Sequence, residues 1–353
     1  MAKLTQTSCA IDGKDDDRGT RVADKSILRD VAQGAGVSMR TASRVLNDDP
    51  KVAAATRLRV QAVMRDLRYT PDSMARSLRA GTDATFGIIV ESVADPFFSE
   101  LAAAVELVAA QTQRSVLIGS THRDADRERG LIEQMLQRRV AGLLIAPTAS
   151  DHAWLQASGR TPLVLIDRPA PGLVADLVGI DDEAATARGV RHLAAHGHRR
   201  IAYIGDHPEV ATSWARLEGF RQTMAALGLT ADLVRANCSD PKAAAEATHE
   251  LLAELPADQA PTAIFSATTR CSLGVVPALH AHRRTDVALV SFGDFAMADA
   301  LEPGITVIDH SAEAVGRAAA DRLTARLAQP DLPTEVTHVP VHLIERGSGE
   351  LTP

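Results

Sequence analysis

The stretch of residues 27–47 constrains this chain most, because two short segments with apolar residues at helical spacing flank a tight turn. The first segment places its apolar residues on one helix face, at Ile27, Leu28, Val31, Ala32 and Ala35. Gly36 tolerates the backbone of the turn, and Ser38 stands where the next helix needs an N-cap. The spacing therefore predicts a helix-turn-helix.

A third apolar segment completes a small helical unit. The second and third helices are expected to bury the residues that close its core, namely Ala42, Val45, Leu46, Val60, Val63, Met64 and Leu67. The other side of the third helix carries four arginines, at Arg57, Arg59, Arg65 and Arg68. Such a basic surface suits phosphate, although a helical domain with a solvated arginine face is the alternative.

The second helix of such a motif enters the major groove with its N-terminus first. The first residues able to reach base edges are therefore Ser38, Met39, Arg40 and Thr41. Farther along the same helix, the outward and polar positions are Ser43, Arg44 and Asn47. We expect these seven residues to form the contact with double-stranded DNA.

Two short motifs, D-V-A-x-x-A-G-V-S at 30–38 and S-R-V-L-N at 43–47, resemble those of the LacI/GalR transcription regulators. The resemblance extends over nearly the whole chain from residue 26. It implies that Met39 and Arg40 set base specificity, that Arg44 contacts a base and that Asn47 contacts the DNA backbone. The chain departs from the family where Ile27 and Ala53 replace the usual capping residues, which should weaken two helix ends.

Charge is segregated along the chain. Residues 26–79 contain ten Lys/Arg and five Asp/Glu, a net charge of +5, whereas the whole chain carries −7. Residues 1–25 balance at five of each sign, so the remainder carries −12. A basic head on an acidic body implies that only the head approaches nucleic acid.

The cysteines and the hydropathy indicate the cellular compartment of the protein. Cys9, Cys238 and Cys271 are odd in number and lack C-x-x-C spacing, which argues against a disulfide framework or a zinc site. No apolar run reaches membrane-spanning length, and the N-terminal stretch lacks the apolar segment of a signal peptide. We therefore expect a cytoplasmic protein that needs no membrane, metal or cofactor.

The head is bounded by two polar segments. Residues 1–25 lack periodicity and are predicted to be a disordered tail, and residues 26–70 form the helix-turn-helix domain. Residues 71–82 begin with Pro71 and end near Gly81, which predicts a short helix that is marginal alone. The resemblance implies a hinge helix that pairs with its dimer mate in the minor groove, with Leu78 as the wedge between bases. A plain linker is the alternative.

From residue 83 to residue 353, apolar strands alternate with amphipathic helices. Continuous apolar strands such as 86–90 and 142–145 imply parallel sheets covered on both faces, so the fold class is α/β. The resemblance implies a two-lobed effector domain of the periplasmic-binding-protein type, crossed three times by the chain. Its lobes are expected to comprise residues 83–180 plus 309–335, and residues 181–308 plus 336–345.

A ligand is expected in the cleft between the lobes, beyond the carboxyl ends of the strands. Five of the eleven aromatic residues fall at such ends: Phe97, Phe98, Trp214, Phe292 and Phe295. The resemblance assigns effector contacts to Phe97, Phe98, Asp167 and Arg216. We add three neighbouring loop residues as candidates, Trp214, Thr268 and Asp294. A core aromatic at Phe97 and a structural ion pair at Arg216 are the alternatives.

The expected effector is a small molecule that is sugar-like or nucleoside-like. Thr268-Thr269 and Gly293 replace the family's usual Asn-Asp and aspartate, which argues against a typical hexose fit. The histidines at 192, 196 and 198 lie at a helix C-terminus, where they favour the helix dipole. With no phosphate loop, nucleophile elbow or paired carboxylates, the sequence indicates that the protein is not an enzyme.

These observations together predict a transcriptional regulator. We expect a repressor that binds a near-palindromic operator as a homodimer and responds to an effector in the cleft. A soluble two-lobed binding protein without a DNA role is the main alternative, but it would lack the basic head. An α/β enzyme is a second alternative, but it would need a catalytic constellation that the sequence does not contain.

Overall fold

The computed structural model describes residues 27–46, 49–69, 84–157 and 161–353. The chain divides into two compact units, residues 1–79 and 80–353. The predicted tail, the hinge helix with Leu78, and Asn47 fall outside the described residues, so the predictions for them stand as made.

The N-terminal unit contains the three predicted helices, α1 (Leu28–Gly34), α2 (Met39–Leu46) and α3 (Ala54–Asp66). Their core consists of buried apolar residues from all three helices and the turn, namely Val31, Ala35, Val45 and Val60. The expected burial of Ile27 and Leu67 is wrong, because both are exposed. Ile27 is the extended N-cap of α1 and Leu67 follows the end of α3, so neither belongs to a helix face.

The turn between α1 and α2 has the predicted chemistry. Gly36 adopts a φ of 62°, in the left-handed region that glycine tolerates. The Ser38 hydroxyl accepts a hydrogen bond from the Thr41 backbone N–H at 3.1 Å and so caps α2. Ala53 provides no side-chain cap for α3, as its sequence position predicted.

The C-terminal unit begins with one parallel six-stranded sheet, in the order β11-β5-β4-β3-β1-β2. These strands are β1 (Thr85–Val90), β2 (Ser115–Ser120), β3 (Gly142–Ile145), β4 (Leu163–Ile166), β5 (Asp176–Gly179) and β11 (Val336–His338). Its helices are α4 (Pro96–Gln111), α5 (Ala125–Gln137), α6 (Ala153–Ala157) and α11 (Ala312–Ala328). We call this sheet with its helices the first lobe.

A second sheet has the order β12-β10-β9-β8-β6-β7, in which only β12 runs antiparallel to its neighbour. Its strands are β6 (Ile201–Ile204), β7 (Val234–Arg235), β8 (Ala263–Ser266), β9 (Ala288–Phe292), β10 (Thr306–Asp309) and β12 (His342–Ile344). Its helices are α7 (Asp182–Ala195), α8 (Ala211–Ala226), α9 (Pro241–His249), which continues as a π-helix over Glu250–Glu254, and α10 (Thr269–Ala281). This sheet with its helices is the second lobe.

The central strands of each sheet are buried because most of their residues are apolar on both faces. All residues of β3 and β9 are buried, which matches the continuous apolar runs of the sequence. Helix α11 returns to the first lobe and packs on α4, as predicted. The approach is close at Gly316, where an added Cβ would lie 2.5 Å from the Leu101 carbonyl oxygen.

Two predicted lobe boundaries are wrong. The chain was expected to enter the second lobe at residue 336, but β11 pairs in parallel with β5 of the first sheet. Strand β11 is a three-residue edge strand with little buried surface, so it has no apolar pattern that marks its sheet. Residue 309 was expected to begin the return to the first lobe, but it is the last residue of β10 in the second sheet. The chain therefore crosses back to the first lobe after residue 309.

Within the described residues, no helix is both long enough and apolar enough to cross a membrane.

Candidate DNA interface and ligand cleft

The first turn of α2 presents the residues predicted to read DNA. Met39 is half exposed, Arg40 is exposed, and Thr41 is half-buried. The hydroxyls of Ser38 and Thr41 lie 2.9 Å apart, which orients both at the helix N-terminus. An exposed methionine next to an exposed arginine supplies apolar contact and bidentate hydrogen bonding, the two chemistries that distinguish bases in the major groove.

Arg44 lies one turn further along α2. Its Nε donates to Asp49 Oδ2 at 2.7 Å, and Arg57 donates to the Asp49 carbonyl at 2.7 Å. The hydrogen bond from Arg44 lowers the pKa of the Asp49 carboxyl. Because solvent screens this surface ion pair, a base edge can compete for the guanidinium. Ser43, the remaining described candidate, is half-buried on the same helix.

In the C-terminal unit, the carboxyl ends of strands from both sheets enclose a cavity of about 70 Å³. Its walls contain four arginines and four carboxylates, so their formal charges balance. The lining residues are Glu91, Asp95, Phe97, Phe98, Arg123, Asp167, Arg168, Asp206, Val210, Thr212, Ser213, Arg216, Thr268, Thr269, Arg270, Phe292 and His310. We call this cavity the cleft.

One end of the cleft is bridged by a set of ion pairs that we call the paired cluster: Glu91, Asp95, Arg123, Asp206 and Arg270. Arg123 of the first lobe donates from Nε to Glu91 Oε1 at 2.8 Å and from both Nη atoms to Asp206 of the second lobe. Arg270 of the second lobe donates to Glu91 Oε1 at 3.1 Å and to Asp95 Oδ2 at 2.6 Å. The cluster thus joins the lobes in both directions.

The pKa shifts in the paired cluster follow from these contacts. Burial alone would raise the pKa of Asp206, but the hydrogen bonds and charge of Arg123 lower it below its usual value. Burial would likewise lower the pKa of Arg123 and Arg270, yet the facing carboxylates raise both. These contacts therefore hold Asp206, Arg123 and Arg270 in their charged forms at neutral pH.

At another wall of the cleft, Asp167 and Arg168 form what we call the unbonded pair. Arg168 is buried, but its Nε is 3.5 Å from Asp167, its Nη2 is 3.6 Å from Glu91, and Nε has no hydrogen-bond partner within the described part of the chain. Asp167 adopts a φ of 69°, and burial raises its pKa. A strained, buried carboxylate beside a guanidinium with an unfilled donor is typical of a site that recognises a ligand.

Arg216 is both a structural residue and part of the cleft wall. Its Nε donates to Asp182 at 2.7 Å, its Nη1 donates to the Ala267 carbonyl at 2.9 Å, and its guanidinium lies 3.9 Å from the centre of the Phe292 ring. Burial raises the pKa of Asp182 to about 6, although Arg216 opposes the shift. The alternative of an ion pair at Arg216 is therefore correct, and the same side chain still faces the cleft.

Aromatic rings form another wall. Phe97 stacks on His310 with ring centres 4.8 Å apart, and Phe98 meets Phe97 edge-on at 5.2 Å. Burial, with the nearby charge of Arg216, lowers the pKa of His310 to about 3, so this ring is neutral at physiological pH. Half-buried Phe97 supplies a face for a ligand, whereas the buried Phe98 serves mainly the core.

The structure brings together five of the seven predicted effector residues: Phe97, Phe98, Asp167, Arg216 and Thr268. Trp214 does not line the cleft and is half exposed, because Ser213 and Arg216 occupy the cleft side of α8. Asp294 is held by Arg346 through two hydrogen bonds, at 2.8 and 2.5 Å, and lines a neighbouring cavity instead.

Several residues that line the cleft were not predicted from the sequence. Glu91, Arg168 and Asp206 directly follow predicted strand ends or motif residues, so strand topology alone could have indicated them. Arg123 and Arg270 lie in a loop and at a helix start, where sequence offers no signal for a contact across the cleft.

The three neighbouring histidines lie where the sequence predicts them, at the C-terminus of α7 and just after it. His192 contacts Glu350 at 2.5 Å, and His198 contacts the Leu351 carbonyl at 2.8 Å, so both anchor the C-terminal segment. In the described ranges, no three His, Cys, Asp or Glu side chains are grouped so that they could hold a metal ion.

Each of the two units matches a known protein family. Residues 27–72 match the family described as bacterial regulatory proteins, lacI family, and residues 190–349 match a periplasmic binding protein-like domain. The regulator GalR of Salmonella typhimurium is 33% identical over 316 residues, which cover 88% of this chain and 92% of GalR. The chain belongs to the LacI/GalR family of transcriptional regulators.

Two further relatives support this assignment. The ribose operon repressor of Escherichia coli is 29% identical over 329 residues, covering 91% of this chain and 99% of the repressor. The lac repressor dimer bound to operator and the anti-inducer ONPF superposes with a TM-score of 0.84 at 26% identity, covering 92% and 99% of the two chains. This LacI/GalR regulator is thus a DNA-binding protein controlled by an effector and not an enzyme, and the alternatives of a binding protein without a DNA role and of an α/β enzyme are set aside.

Proposed function

We propose that this regulator is a cytoplasmic repressor that binds a near-palindromic operator as a homodimer and senses a small, hydroxyl-rich molecule in the cleft. The first turn of α2, with Met39 and Arg40 exposed, supports major-groove recognition. Two subunits related by a twofold axis would present two such turns to matching half-sites. The relatives named as repressors, and the lac repressor dimer on its operator, support the same arrangement.

Exposed apolar side chains support the homodimer. Leu107 on α4 is 60% exposed, and Ile118 on the edge strand β2 is 42% exposed. Both belong to the β2 edge of the first lobe, where an unpaired strand and apolar surface favour association. The second lobe adds the exposed Leu273 on α10.

The unbonded pair carries the proposal for the effector. A buried guanidinium with an unfilled donor costs free energy unless a ligand accepts its hydrogen bond. Asp167 beside it offers an acceptor, so neighbouring hydroxyl groups, which donate and accept, match the two side chains together. The balanced charge of the walls gives an ion no net attraction, and the face of Phe97 suits the C–H face of a sugar ring. Of the two expected classes, the sugar-like effector therefore fits better than a nucleoside.

Control would run through the orientation of the lobes. The cleft of about 70 Å³ has room for a handful of water molecules, so entry of a sugar requires the lobes to move. The paired cluster contributes to the free energy of that movement, because the bonds of Arg123 to Asp206 and of Arg270 to Glu91 and Asp95 join the two lobes. An effector that prefers one lobe orientation shifts the population toward it, and the hinge segment transmits the shift to the DNA-binding unit.

The test combines ligand binding with operator binding. An operator is first selected from randomised DNA, and the full-length protein is then screened by thermal shift and by fluorescence anisotropy against pentoses, hexoses and disaccharides. At least one sugar should stabilise the protein and change its operator affinity, while glucose and galactose should have little effect because Thr268-Thr269 and Gly293 replace their usual partners.

The variants separate the two functions. Arg168→Met should abolish the response to the effective sugar and keep operator affinity, whereas exposed Arg191→Gln on α7 should change neither. Arg40→Ala should keep the sugar response and relax base preference at one pair of each half-site by about 1–3 kcal/mol. If no sugar binds, or if Arg168→Met responds like the parent, the proposed effector class is wrong.

A further inference from the structure

A second cavity lies beside the cleft, and the stacked Phe97 and His310 line both. It has a volume of about 470 Å³ and is formed by the start of α4, the start of α10, the loop after β9 and the crossover from β10 to α11. We call it the side chamber. Its size is that of a site for a small organic molecule and exceeds what a single ion needs.

Carboxylates of the side chamber outnumber its cations. Glu100, Asp294 and Asp309 line it, whereas Arg346 forms an ion pair with Asp294 and interacts at longer range with Asp309. Neither Glu100 nor Asp309 forms an ion pair with any residue that the structure describes. Burial first, and then the charges of Asp309, Glu313 and Asp294, raise the pKa of Glu100, which reflects uncompensated negative charge. His310 is neutral and offers no compensation.

The remaining walls contain groups that suit an organic ligand. Phe97 and Phe295 line the chamber on opposite lobes, and aromatic faces attract organic cations. The hydroxyl of Thr269, a residue only 8% exposed, lines both cavities and makes no side-chain hydrogen bond within the described residues. The described side chains form no metal-binding group of three, so the carboxylates do not make a metal site.

We propose that the side chamber binds a small organic ammonium compound, such as an aliphatic amine, in addition to the effector bound in the adjoining cleft. Glu100 and Asp309 attract the ammonium group, Phe97 and Phe295 contact its carbon chain, and Thr269 accepts one of its N–H donors. The site shares Phe97, Thr269 and His310 with the cleft. Occupancy of one cavity therefore changes the affinity of the other, by an equal factor in both directions.

The full-length protein is titrated calorimetrically at low ionic strength with putrescine, with uncharged 1,4-butanediol and with Mg²⁺. Putrescine should bind at one site per chain, while the diol and Mg²⁺ should not bind there. Glu100→Gln should weaken putrescine roughly fivefold, and Glu106→Gln, an exposed residue on the same helix, should leave its affinity unchanged. Phe295→Leu should also weaken binding and keep the fold, as checked by circular dichroism.

Three results would overturn the proposal. They are no binding of putrescine at millimolar concentration, equal binding of the diol or Mg²⁺, and equal affinity of the Glu100→Gln and Glu106→Gln variants. The outcome is independent of the sugar screen, because it uses a different ligand and different variants.

Discussion

The paired cluster and the unbonded pair contain the same kinds of residue in one cleft, yet their hydrogen bonds differ. In the paired cluster, Arg123 reaches Glu91 and Asp206 at 2.8 Å, and every arginine spans the two lobes. In the unbonded pair, Arg168 lies 3.5 Å from Asp167 and 3.6 Å from Glu91, too far for good hydrogen bonds. Charges that satisfy one another across the cleft hold the lobes, and charges left unsatisfied remain available to a ligand.

The pKa directions express the same difference. The pKa of Asp206 is lowered because, despite burial, Arg123 stabilises its ionised form. The pKa of Asp167 is raised because burial outweighs the more distant arginines. At neutral pH the ionised Asp206 therefore stabilises the folded state, and the ionised Asp167 destabilises it.

The largest expected effect comes from breaking the paired cluster. Arg123→Gln leaves buried Asp206 without its arginine partner and removes one of the two arginines bonded to buried Glu91, which should lower the free energy of unfolding by about 3 kcal/mol. Arg129→Gln is the matched control, because Arg129 pairs with Glu133 on the exposed surface of α5 and should change stability by less than about 1 kcal/mol. Urea unfolding at pH 7 measures both. Equal losses in the two variants would show that the cluster has no special role.

A smaller effect of opposite sign is expected at the unbonded pair. Asp167→Asn should raise stability at pH 7, because it removes a buried charge that the native state disfavours and because asparagine tolerates the φ of 69°. The raised native pKa means that this gain is complete above it and disappears as pH falls toward the ordinary value of 3.8. Asp206→Asn should instead lose stability at pH 7. Urea unfolding curves between pH 4 and pH 7 measure the stability of both variants. A loss of stability in Asp167→Asn as well as in Asp206→Asn would contradict the difference between the two carboxylates.

Much of the fold could be predicted from local patterns. The turn at Gly36, the cap at Ser38 and the apolar strands each depend on a few neighbouring residues, so spacing was sufficient. Strand β11 was assigned to the wrong lobe because its three residues carry no apolar pattern, and only pairing with β5 places it.

The site was less predictable for a physical reason. Phe97 and Arg216 occupy positions that strand ends and motif resemblance identify, and both line the cleft. Arg270 and Glu91 are 179 residues apart, and their contact exists only because the two lobes face one another. Trp214 was misplaced because an aromatic residue at a helix start is informative about a cleft only when the helix face is known.

Hydrogen exchange tests most directly whether the paired cluster, and not the unbonded pair, keeps the lobes closed. Backbone amides of residues 91–98 and 206–213, which border the cleft, are compared by mass spectrometry in the full-length parent, Arg123→Gln and Arg168→Met. Arg123→Gln should exchange faster in both segments, because opening costs less once the bonds across the lobes are lost. Arg168→Met should exchange like the parent. Faster exchange in both variants, or parent-like exchange in Arg123→Gln, would contradict the account.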